Sequence, residues 1–266
     1  MPEGPEVKII SDQLKCIIGR QITSISTADN KFADLHQIKL PIYIRDITCY
    51  GKRIMIHIDN NIIMVNFLGM EGKWTFTEGK HTRVKMNLQT KPNEYAPGFT
   101  LTIYSTIYFN DSRHFGYLKV FTTESIRSYI SAFGPDILSG EVSSEEWQSR
   151  IKGRRKIVDI LLDQKVVAGI GNYLKSDILY ASRISPHRSG DSLSIEEKER
   201  LRLFSHYLIR LSYSNNGLTI RSYWDMHGKP GNYKTLVYNR NLDDLGNIVM
   251  KVSDKRSTYW VPNIQN

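Results

Sequence analysis

Cysteine is nearly absent from this chain of 266 residues, with only Cys16 and Cys49 present. No metal-ligand spacing involves either of them, so both are expected to be reduced, buried thiols of an intracellular protein. The seven histidines are scattered, which argues against a metal site. Long hydrophobic runs are missing too, so nothing spans a membrane as an apolar helix. The N-terminus lacks the basic and then apolar regions of a signal peptide. Internal repeats and low-complexity tracts are likewise not seen. Acid is the minority charge: 27 Asp and Glu stand against 36 Lys and Arg, for a net charge of +9. That excess suits a polyanionic partner bound through counterion release. Basic ribosomal and membrane-surface proteins share it, so charge selects a class and not a function. With 40% hydrophobic residues the chain can bury a core, as one large domain or two modest ones.

The chain opens Met1-Pro2-Glu3-Gly4-Pro5-Glu6-Val7. Pro2 is small enough for Met1 to be trimmed, which leaves a secondary amine followed by a carboxylate, Glu3. An α-amino group titrates near ~8 and a lysine near ~10.4, so at neutral pH far more of the former is unprotonated. A secondary amine condenses with an aldehyde to a cationic iminium, an electron sink like a lysine Schiff base. Taken alone, Pro2 and Pro5 in a first helical turn are better explained as helix starters.

Val7, Ile10, Leu14 and Ile17 predict an amphipathic helix over 6–18 closed by Gly19. From 21 to 122 the pattern shifts to short β-branched runs (42–47, 54–58, 62–65, 84–88, 101–104 and 118–121) between turn residues, which predicts an antiparallel sandwich or barrel. Gly134-Pro135-Asp136 marks a boundary, after which the period is helical. Ser143 and Ser194 begin capping boxes, with helices expected near 145–151, 157–162, 173–181 and 195–211. Two strand-like runs, 235–238 and 258–261, suggest a terminal hairpin. The fold class is α+β multidomain: an N-terminal β-sandwich domain with an N-terminal helix over 1–130, a helical domain over 131–225 and a β-hairpin over 226–266.

Several segments carry chemistry. Gly51-Lys52-Arg53 opens a strand, and alternation sends Arg53 to the face opposite Lys52. Gly69 and Gly72 flank Met70, and Arg113 stands two before Phe115. Gly169 and Gly171 permit a tight turn with exposed amides, and Asn172 reads as the N-cap of an apolar-striped helix, which makes a phosphate site. A dinucleotide fold is excluded there, because no strand precedes the glycines and their spacing is wrong. Arg154-Arg155-Lys156 reads equally as phosphate contacts or as a solvated helix face.

Met-Pro-Glu-Gly-Pro-Glu resembles the start of the formamidopyrimidine-DNA glycosylase and endonuclease VIII family of base-excision enzymes. Four later segments resemble it in family order: Leu68-Gly69-Met70-Glu71-Gly72 with Asp111-Ser112-Arg113-His114-Phe115-Gly116, then 161–174, which looks like the family's helix–two-turns–helix motif and makes 131–225 its helix–two-turns–helix domain, and then 216–223 and 256–265. The resemblance implies a bifunctional DNA glycosylase and AP lyase acting through β,δ-elimination. Pro2 would be the nucleophile, Glu3 the general acid and Glu6 the residue orienting the amine or the helix start. Lys52, Asn172 and Arg256 would clamp phosphates, with Gly171 and Arg154 beside them. Met70, Arg113 and Phe115 would fill the void left by an everted base. Thr219 and Arg221 would belong to a loop closing over that base. His114 replaces an arginine common in the family.

Where many relatives carry a four-cysteine zinc finger, the aligned positions are Leu242, Leu245, Val261 and Ile264, which implies a zincless finger held by a small apolar cluster. The resemblance implies no metal and no cofactor, a monomer, DNA containing oxidised bases or abasic sites as the partner, and a location wherever the genome is kept. The sequence leaves two rivals open: a catalytically inactive damaged-DNA-binding protein on the same scaffold, and a basic structural protein of a nucleoprotein particle.

Overall fold

The computed structural model describes residues 2–89, 105–219, 224–253 and 256–266. By contacts the chain divides into two compact units. The first comprises 1–2, 7–130 and 220–230. The second comprises 3–6, 131–219 and 231–266.

The chain begins with helix α1, Gly4–Leu14, continued by a 3₁₀ turn, Lys15–Ile17. Its predicted stripe is buried: Val7 and Ile10 are 1% exposed, and Leu14 and Ile17 are 0% exposed. Gly19 at φ 84° ends the turn, a conformation that glycine alone adopts without strain. The strands follow as β1 (Gln21–Thr27), β2 (Ile42–Tyr50), β3 (Arg53–Ile58), β4 (Ile62–Phe67), β5 (Lys73–Thr75), β6 (Thr82–Gln89), β7 (Thr106–Asn110) and β8 (Tyr117–Thr122). Among the described residues they form an antiparallel sheet in the order β5-β7-β6-β1-β2-β3-β4-β8.

β2 is the corner of the sheet. Ile42 and Tyr43 pair with β1, whereas Ile44 to Tyr50 pair with β3 across a register shift. The two halves thereby become the layers of a β-sandwich around Ile44, Ile56, Met64, Trp74, Met86 and Phe109. Trp74 Nε1 donates to Asn66 Oδ1 at 2.9 Å, so the largest ring of this core buries no unpaired polar atom. The run 101–104 lies outside the described residues. The two thiols differ from expectation. Cys16 is exposed and Cys49 is half-buried, because the 3₁₀ turn after α1 faces Cys16 outward.

The second unit is helical. Beyond α2 (Thr123–Ser131) come α3 (Ser144–Arg150), α4 (Ile157–Leu162), α5 (Asn172–Ala181) and α6 (Ile195–Ser214). Both expected caps form, with Ser143 and Ser194 accepting the amides of Glu146 and Glu197, and the box is reciprocal at Ser194. α5 is buried almost all round, packed against α4, α6 and the hairpin.

That hairpin joins β9 (Met250–Ser253) to β10 (Ser257–Trp260). The strand expected over 235–238 is not one. Its amides from Leu236, Val237 and Tyr238 converge on Asp177 at 3.0, 3.0 and 3.2 Å, joined by the Tyr233 hydroxyl at 3.0 Å. Amides committed to one buried carboxylate cannot also supply a β-ladder.

Desolvation outweighs these donors and lifts the Asp177 carboxyl from 3.8 to about 6. A carboxyl raised in the fold favours the protonated native state. Its contribution to stability is therefore fully present below about pH 4 and lost as pH rises toward 6. Asp177→Asn is expected to remove a slope of up to ~1.4 kcal/mol per pH unit over that window. Urea melts of both proteins at several pH values check it, and parallel curves would refute the assignment.

Candidate active site and nucleic-acid interface

The opening motif is anchored residue by residue within the second unit. Glu3 and Glu6 are 2% and 1% exposed. The Glu3 carboxylate accepts the N–H groups of Gly171 at 2.7 Å, Tyr173 at 2.9 Å and Leu174 at 3.3 Å. It thus sits on the N-terminus of α5, where orphan amides and the helix dipole favour an anion. Gly4 N–H donates to the Gly169 carbonyl at 2.8 Å. Glu6 accepts the Glu3 N–H at 2.8 Å, the Leu218 N–H at 2.9 Å and the Tyr173 hydroxyl at 2.9 Å. Burial holds the Glu6 carboxyl above the usual carboxylate range despite these donors.

This corrects two expectations. The amides around Gly171 do not stand open for a phosphate, because Glu3 already takes them. The N-cap is Gly171, and Asn172 is the first helical residue. Gly171 is required here by contact, since a Cβ would lie 2.2 Å from the Glu3 carboxyl carbon. The turn itself is braced by Gln164, whose amide donates to the Ile170 carbonyl at 2.9 Å and accepts from Gly169 N–H at 3.1 Å.

In the first unit, Pro2 is buried and lines a cavity of about 600 Å³. The other walls include Glu71, Lys73, Thr75, Thr77, His81, Asn110 and Trp224. The volume falls inside the ~300–1,000 Å³ typical of small-molecule sites. A lining of mixed polar and apolar groups with a single indole suits a flat, hydrogen-bonding guest.

The two wedge segments meet. Gly69, at φ 69°, packs so tightly that a Cβ would lie 2.7 Å from Gly116 N and 2.8 Å from Phe115 C. Asp111, 1% exposed, ties the second loop by accepting Gly116 N–H at 2.6 Å and Arg113 N–H at 3.2 Å. Phe115 is 52% exposed with the Arg113 guanidinium 5.3 Å from its ring centre, and Met70 is half-buried. His114 serves the turn: it adopts φ 57°, and its carbonyl accepts from Lys31. Gly69→Val is expected to cost about 2 kcal/mol through clash and backbone strain. Thermal denaturation reads this directly, and an unchanged midpoint would mean that the loops do not touch.

Lys52 lies at the β2–β3 turn and is 5% exposed. Arg53, the first residue of β3, donates to the Tyr129 hydroxyl at 2.8 Å. That hydroxyl pairs with Tyr117, whose own hydroxyl is pushed up to about 12 by burial.

In the second unit Asn172 is half-buried and Arg256 is exposed just before β10. Arg154 is exposed, while neighbouring Arg155 pairs with Asp163 at 2.9 Å. Thr219 bonds the Tyr233 carbonyl at 2.7 Å, and Arg221 lies outside the described residues.

The finger differs from expectation. Leu242 and Leu245 are 50% and 77% exposed, so no apolar cluster joins them to buried Val261. Polar staples hold the segment instead. Asp243 accepts from the Tyr180 hydroxyl at 2.9 Å and from the amides of Leu245 at 2.9 Å and Asn247 at 2.8 Å. Gln265 accepts Val261 N–H at 2.7 Å and donates to the Ile184 carbonyl at 2.9 Å.

Sequence reading missed Tyr173, Asp177 and Lys175, whose partners lie far off in the chain. An apolar-striped helix carrying a buried Lys and Asp at i and i+2 was the one signal available.

A β-sandwich beginning with Pro-Glu-Gly, followed by a helix–two-turns–helix unit and a hairpin, defines a DNA-glycosylase-type fold. Residues 1–118 match the formamidopyrimidine-DNA glycosylase N-terminal domain model, and 133–221 match the formamidopyrimidine-DNA glycosylase H2TH domain model. A formamidopyrimidine-DNA glycosylase of Wolbachia sp. subsp. Brugia malayi is 30% identical, covering 100% of both chains. An Endonuclease 8 of Salmonella arizonae is 28% identical, again over 100% of both. Among solved structures, the MutM (Fpg) protein of Thermus thermophilus superposes with a TM-score of 0.88 at 26% identity, covering 99% of this chain and 98% of that one. The chain belongs to the formamidopyrimidine-DNA glycosylase and endonuclease VIII family.

Proposed function

We propose that this protein is a bifunctional DNA glycosylase and AP lyase of base excision repair, taking oxidised bases from DNA. The observation that carries the reading is Pro2, buried at the wall of a cavity and followed by a motif fixed at Glu3, Gly4 and Glu6. A nucleophile held in one place makes attack on a bound sugar effectively intramolecular. The names of relatives support the glycosylase part of the reading, and a Lactococcus lactis Fpg structure of the same fold holds DNA with an abasic site.

With Met1 removed, the Pro2 nitrogen attacks C1′ of the deoxyribose and the C1′–base bond breaks, its electron pair leaving with the base. The Pro2 nitrogen sheds its proton to the Glu3 carboxylate, which passes it to O4′ as the ring opens and the nitrogen becomes an iminium, while the departing base takes a proton from solvent. The iminium acidifies C2′. Loss of a C2′ proton expels the 3′ phosphate, and a second elimination expels the 5′ phosphate. Glu3, one residue from the nucleophile, also balances the positive charge of the iminium. Glu6 fixes the backbone of Glu3. Lys52, Asn172, Arg256 and Arg154 take phosphates; Met70, Arg113 and Phe115 fill the void; Thr219 and Arg221 belong to the loop over the base. The segment 1–130 supplies the reacting groups Pro2 and Glu3, with 131–225 and 226–266 holding DNA as a monomer. No cofactor enters this scheme.

Nicking of a panel of single-lesion oligonucleotides tests it. The expected product is a gap bounded by phosphates on both sides. Tight binding of abasic DNA without any cleavage would favour a catalytically inactive damage-binding protein instead.

A further inference from the structure

Lys175 is fully buried, 0% exposed, one turn into α5. Its ammonium donates to Asn172 Oδ1 at 2.8 Å, Thr258 Oγ1 at 2.8 Å and the Ser257 carbonyl at 3.3 Å. All three protons are thus used, and every acceptor is neutral. Burying a cation without a hydrogen-bonded carboxylate is costly, and an apolar side chain of that length would stabilise the fold more simply. The cost shows in the ammonium itself, which desolvation lowers from 10.5 to about 8; Arg256 acts in the same direction, while Glu3 and Asp159 oppose it.

The geometry has one specific consequence. An ammonium has only donors, so it accepts nothing from Asn172 and must face its oxygen. The amide nitrogen of Asn172 is therefore directed away from Lys175, and the Asn172 side chain also meets the Tyr238 hydroxyl. The same ammonium grips Ser257 and Thr258, the residues that follow Arg256 in the chain. We propose that Lys175 is a positioning residue: it locks the Asn172 amide with nitrogen outward and aligns it with Arg256, so that helix and hairpin grip one DNA phosphate together. This rests on the reading of Asn172 and Arg256 as phosphate ligands.

Lys175→Met, Asn172→Ala and the double variant test the proposal on duplex carrying a tetrahydrofuran abasic analogue and on abasic DNA. Lys175→Met is expected to weaken binding about tenfold or more, the scale of a hydrogen bond to a charged group. The borohydride-trapping rate at saturating DNA should stay within about twofold, since positioning acts here through ground-state binding. The double variant should lose less than the product of the two single losses, because part of the effect of Lys175 runs through that amide and the rest through Arg256. Losses that multiply, or wild-type affinity in Lys175→Met, would overturn the inference.

Should the Met variant fold poorly, Lys175→Arg keeps charge and donors and is expected to retain affinity within about threefold. A loss as large as that of Asn172→Ala would count against the proposal. A second readout needs no DNA. The Asn172 side-chain NH₂ resonances, assigned with Asn172→Ala, should shift and exchange faster with solvent in Lys175→Met. Unmoved resonances refute the positioning role, whereas absence of any DNA binding by the wild type refutes only the functional reading beneath it.

Discussion

Pro2→Gly is expected to eliminate the covalent adduct that borohydride fixes between the protein and abasic DNA, lowering trapping on the order of a thousandfold. The variant keeps a terminal amine, so the comparison isolates the secondary nitrogen and its fixed ring. Glu3, Gly4 and Glu6 retain their anchors in this variant, because their partners are backbone and side-chain groups that do not involve Pro2. Lys52→Ala is the control. It removes a cation and is expected to weaken DNA binding and flatten its salt dependence by about one unit, while the adduct still forms at saturating DNA. Mass spectrometry of the trapped peptide then locates the bond. Full trapping by Pro2→Gly, or an adduct on a lysine, would overturn the mechanism.

The second large effect belongs to a residue with no chemistry of its own. Gly171→Ala places a carbon 2.2 Å from the Glu3 carboxyl carbon and 2.4 Å from its Oε1. The flexible end of a side chain can often yield, but this carboxylate is buried and holds the amides of Gly171, Tyr173 and Leu174. Expelling it strands those donors and pulls on the segment that ends in Pro2. The cost is expected to be about 3 kcal/mol from overpacking and lost charged hydrogen bonds together. That corresponds to a fall in Tm of about 10 °C for a chain of this size. Turnover should fall on the order of 100-fold below the melting range, as misplaced reacting groups do. Calorimetry and single-turnover nicking well below the midpoint separate the two losses. A variant with wild-type Tm would show that Glu3 has another place to go.

These two outcomes also mark where sequence reading succeeds. The stripe Val7, Ile10, Leu14 and Ile17 and the serine caps of α3 and α6 were legible because their physics is local, acting over three or four residues. β3 and β8 were legible because alternation matches a sandwich face, and β4 because a short continuous apolar run suits a strand buried on both faces. Pro2, Met70 and Phe115 stood out through segments that resemble a known family.

What failed was long-range. Glu3 finds its amides 168 to 171 residues away. Asp177 looks like one more polar residue in a helix until the amides of 236–238 close on it. The same three amides explain why β-branched 235–238 is not a strand: propensity yields to a buried charge that must be satisfied. Leu242 and Leu245 failed for the opposite reason. Aliphatic identity suggested a cluster, yet Asp243 and Gln265 had already fixed the backbone, which left those side chains in water.

The way the finger is fastened bears on what peroxide can do to it. A thiolate cage is consumed by oxidants, each sulfur climbing from sulfenic to sulfonic acid and releasing its metal. Aspartate, glutamine and tyrosine hydroxyl groups sit on no such ladder. The exposed thiol of Cys16 lies elsewhere, in the turn after α1. Oxidants that would dismantle a thiolate cage therefore leave these polar staples unchanged, and Met250 at the start of β9, 49% exposed, is the side chain of the hairpin open to sulfoxide formation.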